Sequence, residues 1–442
     1  MKKKKQLIRK TVNSLSRGAV RVSDTIAQYA EPGFEEIRSS GLLASFLEEN
    51  GFSVEFPFSS IPTAFRADWG EQGNSIGLLA EYDALPDCGE KKGEWGHGCG
   101  HNLLGTAAAL GGIAAKALCE RKNIPCRITV WGCPAEELLA GKVYMARDGA
   151  FRDNDIILGW HPSSSTSVNT KGGSSLDSWL FEFTGKTAHG ASAHSGRSAL
   201  DAVMLMDTAA NYLREHVPDN IRIHMCLPDG GTFPNVVPEY SSAWYYVRAR
   251  NRTQVDEISR RLYNCAKGAA LQTETSLKRT RLTGVYERCE NNTLAQTVLR
   301  NLKLFSHPRA SARDRENAKN LGLSGEFKTG VADSRTEQGK GSSDEDNVSW
   351  LVPFQCFGVS CVAEGTTGHH RDYAAQVIMP YAHRGMKHAA EVFAGTVYDL
   401  CTGSDIVSGA KKEFSKKTGE FTYDPLITQR IKPAVFKQFL KK

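Results

Sequence analysis

The chain has 442 residues, of which 40% are hydrophobic and 24% charged, with a formal net charge of +6. A single core does not extend over that length, so at least two domains are expected, and the composition is that of a globular protein. The charge is mild and no basic stripe with interleaved aromatics occurs, which argues against a nucleic-acid binder and suits an anionic small molecule instead.

Met1 to Lys10 has the basic start of a secretory signal, but Arg17, Arg21 and Asp24 interrupt the apolar stretch that would have to follow. The segment reads as a charged amphipathic helix. No later stretch approaches the length of a membrane span, so no membrane partner is expected. Residues 75–82 (SIGLLAEY) form a continuous apolar run, expected as a buried strand, and an Ala/Leu/Gly-rich helix follows over about 102–119. Residues 126–132 read as a second buried strand, 141–150 as a helix and 155–160 as a third strand. This alternation predicts an α/β domain with a mainly parallel sheet covered on both faces.

Near residue 175 the pattern changes. Strands are expected over 176–184, 221–226, 242–250 and 276–286, with helices over 198–216 and 254–271. The order β-α-β-β-α-β is that of the split βαβ sandwich. Residues 176–290 therefore read as a smaller α+β domain inserted between 1–175 and 291–442. Its half-exposed strands leave an edge or face for pairing with another subunit. Residues 306–343 are polar and charged, either a surface excursion or a loop near the site. A buried strand is expected over 354–362, a long helix over 374–398, and a Lys-rich polar tail over the last forty residues.

The 11 cysteines have no small-scaffold spacing. Cys126, Cys133, Cys226, Cys265 and Cys356 sit among apolar residues, as expected for buried, reduced thiols of a cytoplasmic protein. Cys99 is different, because its neighbours carry chemistry.

Four short segments follow buried strands or precede the Ala-rich helix. In Gly96-His97-Gly98-Cys99-Gly100-His101 a thiol and an imidazole two positions apart lie on a glycine-softened loop and can turn toward one ion. Cys133-Pro134-Ala135-Glu136-Glu137 ends a strand, where open α/β sheets place their ligands. Of its two carboxylates one can ligate metal while the other handles protons. Alone, the pair would more simply be the acidic start of a solvated helix. Trp160-His161-Pro162 and Gly365-Thr366-Thr367-Gly368-His369-His370 complete the set. A lone histidine after a strand is usually structural. Four such clusters together offer five ligands and a spare carboxylate, which suits two divalent ions.

With these motifs the sequence resembles the aminoacylase/carboxypeptidase family of two-metal peptidases, in the amidohydrolase branch marked by Gly-His-x-Cys-Gly-His. That branch includes indole-acetyl-amino-acid and aminobenzoyl-glutamate hydrolases. The similarity runs from about residue 75 to 395 and includes Pro234-Asn235-Val236-Val237-Pro238 and Trp244-Tyr245-Tyr246-Val247-Arg248. The resemblance implies a hydrolase of the amide bond of an N-acyl amino acid. Aminobenzoyl-glutamate or a similar aroyl- or acyl-glutamate is the expected substrate; a general aminoacylase, a dipeptidase and an indole-acetyl-aspartate hydrolase are the alternatives. A non-catalytic partner subunit is the alternative from another class.

Carried over by position, the resemblance makes Cys99, His101, Glu137, His161 and His369 ligands to two divalent cations, Mn or Zn, with Co also admitted. Glu136 becomes the general base. Glu81-Tyr82-Asp83 replaces the His-x-Asp of related peptidases, so one histidine is absent and Asp83 is expected to orient a ligand. His189, Asn235 and Arg248 match substrate-facing residues, and a guanidinium suits a bidentate grip on a carboxylate. The loop after His189 is one residue shorter than the family's and lacks its usual proline. The inserted domain is implied to act as a lid and as the contact of a homodimer, or of a complex with a sister subunit.

Overall fold

The apolar run at residue 75 forms the strand Asn74–Glu81, which pairs in parallel with Cys126–Cys133 on one side and Ile156–Ser163 on the other. Phe354–Ser360 continues the parallel set beyond Ile156–Ser163. Antiparallel strands finish the seven-stranded sheet: Phe65–Trp69 and Ser53–Glu55 at one edge, Ser167–Asn169 at the other. Successive strand residues point to opposite faces. Ile128 and Val130 enter one large core, while Trp131 turns the other way against Phe58 and Phe151, so both faces are covered. The four parallel strands end at the same side of the sheet, where the loops after them meet. The computed structural model describes the chain except residues 1, 306, 333–337, 429–430 and 441–442.

The chain divides into two compact units. The first is Met1–Gly172, Arg288–Glu337 and Asn347–Tyr423; the second is Gly173–Glu287, Gln338–Asp346 and Asp424–Lys442.

In the first unit the helix His101–Lys122 is the centre of packing. Small residues let it approach the sheet: a side chain at Gly105 would come within 2.5 Å of the Glu81 carbonyl oxygen. This helix corrects the sequence reading on membrane length. It is 22 residues long and apolar enough to cross a bilayer, but 89% of its apolar window is buried inside the protein. The amphipathic helix expected at the start is Lys2–Tyr29, whose Ile8, Val12, Ala19 and Ile26 enter the same core.

Two other expectations are corrected, and a stretch left open by the sequence is filled in. The helix expected over 374–398 is two, Arg371–Gln376 and Pro380–Thr402, with Pro380 in the first turn of the second, where its missing N–H costs nothing. Within 306–343 the chain forms a helix, Ala312–Asn320, closed by a capping box between Ser311 and Asp314; residues 306 and 333–337 lie outside the described residues. Cys126 is not a free thiol but is bonded to Cys401, with Cα atoms 5.7 Å apart, and Cys226 is exposed. Cysteine usage therefore gives no argument for a reducing compartment.

The second unit is a four-stranded antiparallel sheet ordered Ser276–Val285, Ser175–Thr184, Tyr240–Ala249, Arg222–Asp229. Its helices Ala199–Leu213 and Arg252–Thr273 pack on Phe181, Phe183, Tyr245 and Val247. The sequence reading leaves the C-terminal tail with the larger domain. Residues 424–442 belong here instead: Phe439 stacks on Trp244 with centroids 4.4 Å apart, and Thr428 exchanges hydrogen bonds with the Arg281 backbone.

Candidate metal centre

Each candidate ligand is placed by backbone features of the first unit. Gly100, at φ +80°, turns the Cys99 loop into the helix that His101 begins. Ala135 and His369 hold φ values of +55° and +58°, a conformation that costs a non-glycine residue energy and is kept only where surroundings enforce it. For Ala135 the enforcement is Glu36, a fully buried carboxyl group whose oxygen accepts the Ala135 N–H at 2.8 Å. For His369 it is Gly98, whose carbonyl accepts the His369 N–H at 2.9 Å and ties the fourth cluster to the first.

The side chains converge. Cys99 Sγ lies 3.3 Å from His161 Nε2, and His161 Nδ1 donates to the Pro162 carbonyl at 2.6 Å, which leaves Nε2 as the ring's lone-pair nitrogen. His101 Nδ1 donates to Asp83 at 2.7 Å, and the other oxygen of Asp83 accepts the Glu137 N–H at 2.9 Å. His101 Nε2 is then 3.5 Å from Glu81 and 3.9 Å from both Glu136 and Glu137, and His369 Nε2 is 3.5 Å from Glu137. Donor atoms of Cys99, His101 and His161 fall within 4.8 Å of one another, as do those of Cys99, Glu137 and His369, and those of Glu81, His101 and Glu136. The first two groups share the sulfur of Cys99.

The electrostatics are those of a cation site. Burial opposes charge on His101, but Asp83 outweighs it and holds the imidazole well above its ordinary range. Burial, together with the charge of His101, keeps His161 and His369 below theirs, as neutral donors. Burial, reinforced by Asp83 and Glu81 against the pull of His101, raises Glu137 to about 7, and burial with Glu137 pushes the Cys99 thiol up. His101 Nε2 and Glu137 Oε1 are buried with no hydrogen-bond partner among the described residues. Buried polar atoms are seldom left so, and a thiol, three imidazoles and carboxylates aimed at one space fit divalent transition metals.

The structure thus gathers Cys99, His101, Glu136, Glu137, His161 and His369. Sequence reasoning missed two groups beside them. Lys142 is fully buried with its ammonium 2.7 Å from Glu81, and Glu36 supports the Ala135 turn. A lysine five positions beyond Glu137 within a buried run was the one signal for the former.

His189, Asn235 and Arg248 lie in the second unit. His189 and Asn235 are neighbours on its surface: the Gly190 N–H donates to the Asn235 carbonyl at 2.7 Å, and His189 Nδ1 accepts the Ala191 N–H at 3.0 Å. Arg248 is half-buried, donates to the Lys340 carbonyl at 2.9 Å, and has no partner for its Nε among the described residues.

A model of the M20 peptidase dimerisation domain matches residues 172–274. The chain is 34% identical to a p-aminobenzoyl-glutamate hydrolase subunit of Escherichia coli, over 94% of this chain and 96% of that protein. It is 30% identical to the Xaa-Arg dipeptidase of Mus musculus, over 90% of this chain and 89% of the other. In fold it is similar to a dinuclear metal binding peptidase of the M20 family from Bacillus subtilis, with a TM-score of 0.58 at 16% identity, covering 88% of this chain and 99% of that one. By these matches the chain belongs to the M20 family of metal-dependent peptidases and amidohydrolases and is a hydrolase of amide C–N bonds.

Proposed function

We propose that this chain hydrolyses p-aminobenzoyl-glutamate, or another aroyl- or acyl-glutamate, at a centre of two divalent ions held by Cys99, His101, Glu137, His161 and His369. The observation that carries the reading is the pair of donor groups, Cys99–His101–His161 and Cys99–Glu137–His369, joined at one sulfur. Cys99, common to both groups, would be a ligand within reach of either ion. The mixed sulfur, nitrogen and oxygen donors admit Mn, Zn or Co.

Two such ions, when bound, supply a water of lowered pKa and polarise the amide carbonyl. The protein's own groups do the rest. Glu136, 3.9 Å from the metal-facing nitrogen of His101, takes the proton from the attacking water and passes it to the leaving amine nitrogen. Asp83 fixes the His101 ring and, through the Glu137 N–H, the approach of that carboxylate. By resemblance, Arg248 is assigned the carboxylate of the glutamate, Asn235 a contact to the substrate, and His189 the scissile carbonyl bound by a neighbouring copy of the chain. The exposed Met204 and Tyr212 on the helix Ala199–Leu213, and the edge strand Arg222–Asp229, support pairing with a second copy through the inserted unit. The match to a dimerisation domain supports it too.

The test is a substrate panel on the Mn- or Zn-loaded chain: p-aminobenzoyl-glutamate, acetyl amino acids, indole-acetyl-aspartate and Xaa-Arg dipeptides. The acyl-glutamate should give the highest kcat/KM, and Arg248→Ala should raise KM for it far more than it lowers kcat. A dipeptide with a free amine preferred by about tenfold or more (about 1.4 kcal/mol) would replace the substrate assignment.

A further inference from the structure

Glu81 is the last residue of its strand, and one of its oxygens lies 3.5 Å from His101 Nε2, the nitrogen left free for an ion. With Glu136 it forms a third set of donors within 4.8 Å. By position alone Glu81 would be one more carboxylate ligand for an ion seated at His101, beside the base Glu136. Its other oxygen, however, is 2.7 Å from the Lys142 ammonium, which no solvent reaches. A lysine buried alone loses its proton, so the contact marks a charged pair. Buried ion pairs rarely repay their desolvation in stability, and one retained beside a reactive site calls for another role.

The backbone links that pair to the catalytic loop. Lys142 is the second residue of the helix Gly141–Arg147, and the N–H groups of Ala140 and Gly141 reach back to the Ala135 carbonyl, next to Glu136.

We infer that Lys142 is a positioning residue: it holds Glu81 as a counter-ion and keeps it from becoming a metal ligand, so that Glu136 stays available for proton transfer. The inference rests on the two-ion reading above.

The test uses metal-stripped full-length chain titrated with Co²⁺, followed by the visible absorption of the loaded protein and by kcat. Lys142→Met should free Glu81 to coordinate. The Co²⁺ spectrum should change toward higher coordination, binding should be no weaker than in wild type, and kcat should fall by about a hundredfold, within the range for impaired proton transfer. Glu81→Gln/Lys142→Met, which buries no unpaired charge, should return the spectrum to that of wild type and recover most of kcat. Should Lys142→Met alone fail to fold, the double variant still decides, because a merely structural lysine predicts no recovery and an altered spectrum. An unchanged Lys142→Met spectrum, or a double variant as slow as the single one, overturns the inference. Wild type that binds no Co²⁺ overturns the two-ion reading, and this inference with it.

Discussion

Asp83 accepts the His101 Nδ1–H at 2.7 Å through one oxygen and the Glu137 N–H at 2.9 Å through the other, so a single buried carboxylate orients two of the proposed ligands. Such partners of ligands typically contribute 10–100-fold to metal affinity, as an order of magnitude. Asp83→Asn keeps the shape but removes the charge that sustains His101. Its metal dissociation constant, from titration of the stripped protein, should rise by about that factor while far-UV circular dichroism stays that of wild type. Unchanged affinity would count against the proposed role of His101.

Glu136 and Cys99 should fail in different ways. Glu136→Gln should keep its metal and lose turnover, by about 10²–10⁴ in kcat, as expected when a proton carrier is removed. Cys99→Ala removes the sulfur common to both donor groups and should lose metal itself. Metal analysis beside kinetics separates the two, and near-normal activity in Glu136→Gln would remove it as the base.

Stability should depend on pH through Glu36. Burial and the charge of Asp83 raise its carboxyl from 4.5 to about 8. Between those values the folded chain holds a proton that the unfolded chain has released, so stability falls as pH rises, by roughly 1.4 kcal/mol per pH unit for this one group. Glu36→Gln keeps an acceptor for the Ala135 N–H but cannot titrate. Urea unfolding of the metal-stripped proteins at about pH 5.5, 6.5 and 7.5, values chosen to lie inside that window, should give a shallower slope for the variant. Equal slopes would contradict the burial argument.

His388, on the helix Pro380–Thr402, is buried with neither ring nitrogen hydrogen-bonded among the described residues. Burial, with His307, Arg9 and Lys5, lowers its pKa to about 3, so it stays neutral and unsatisfied at working pH. A buried polar group without partners costs about 1–3 kcal/mol. His388→Leu should therefore stabilise the protein by a similar amount in thermal or urea unfolding. A destabilised variant would mean that the ring has an unrecognised partner.

Much of the fold was legible because its chemistry and its core follow different patterns. Apolar runs such as 75–82 and 126–132 announced buried strands, and Cys, His and Glu gathered in short motifs just beyond them. The βαββαβ order of the inserted unit was equally plain from its strand and helix spacing, although Ser175–Thr184, expected to be half-exposed, is almost wholly buried. Lys142 escaped because a single charged residue inside an apolar stretch has no spacing signature, and Glu36 because it sits in an ordinary polar segment beside Glu35 and Arg38; only the fold shows that Glu81 and Ala135 are their partners. The bond between Cys126 and Cys401 joins positions 275 residues apart, beyond any local pattern. The tail was misplaced because its lysines mask Phe436 and Phe439, which dock on the second unit. Pro380 reads as a helix interior from periodicity but is a helix start.

The measurement that bears most directly on the central claim is metal content by elemental analysis, together with hydrolysis of p-aminobenzoyl-glutamate, on the chain purified alone, stripped, and reloaded with Mn or Zn. The account predicts two ions per chain, loss of hydrolysis on stripping, and recovery on reloading. A chain that binds no metal and hydrolyses no amide would contradict the assignment of Cys99, His101, Glu137, His161 and His369 as a working centre.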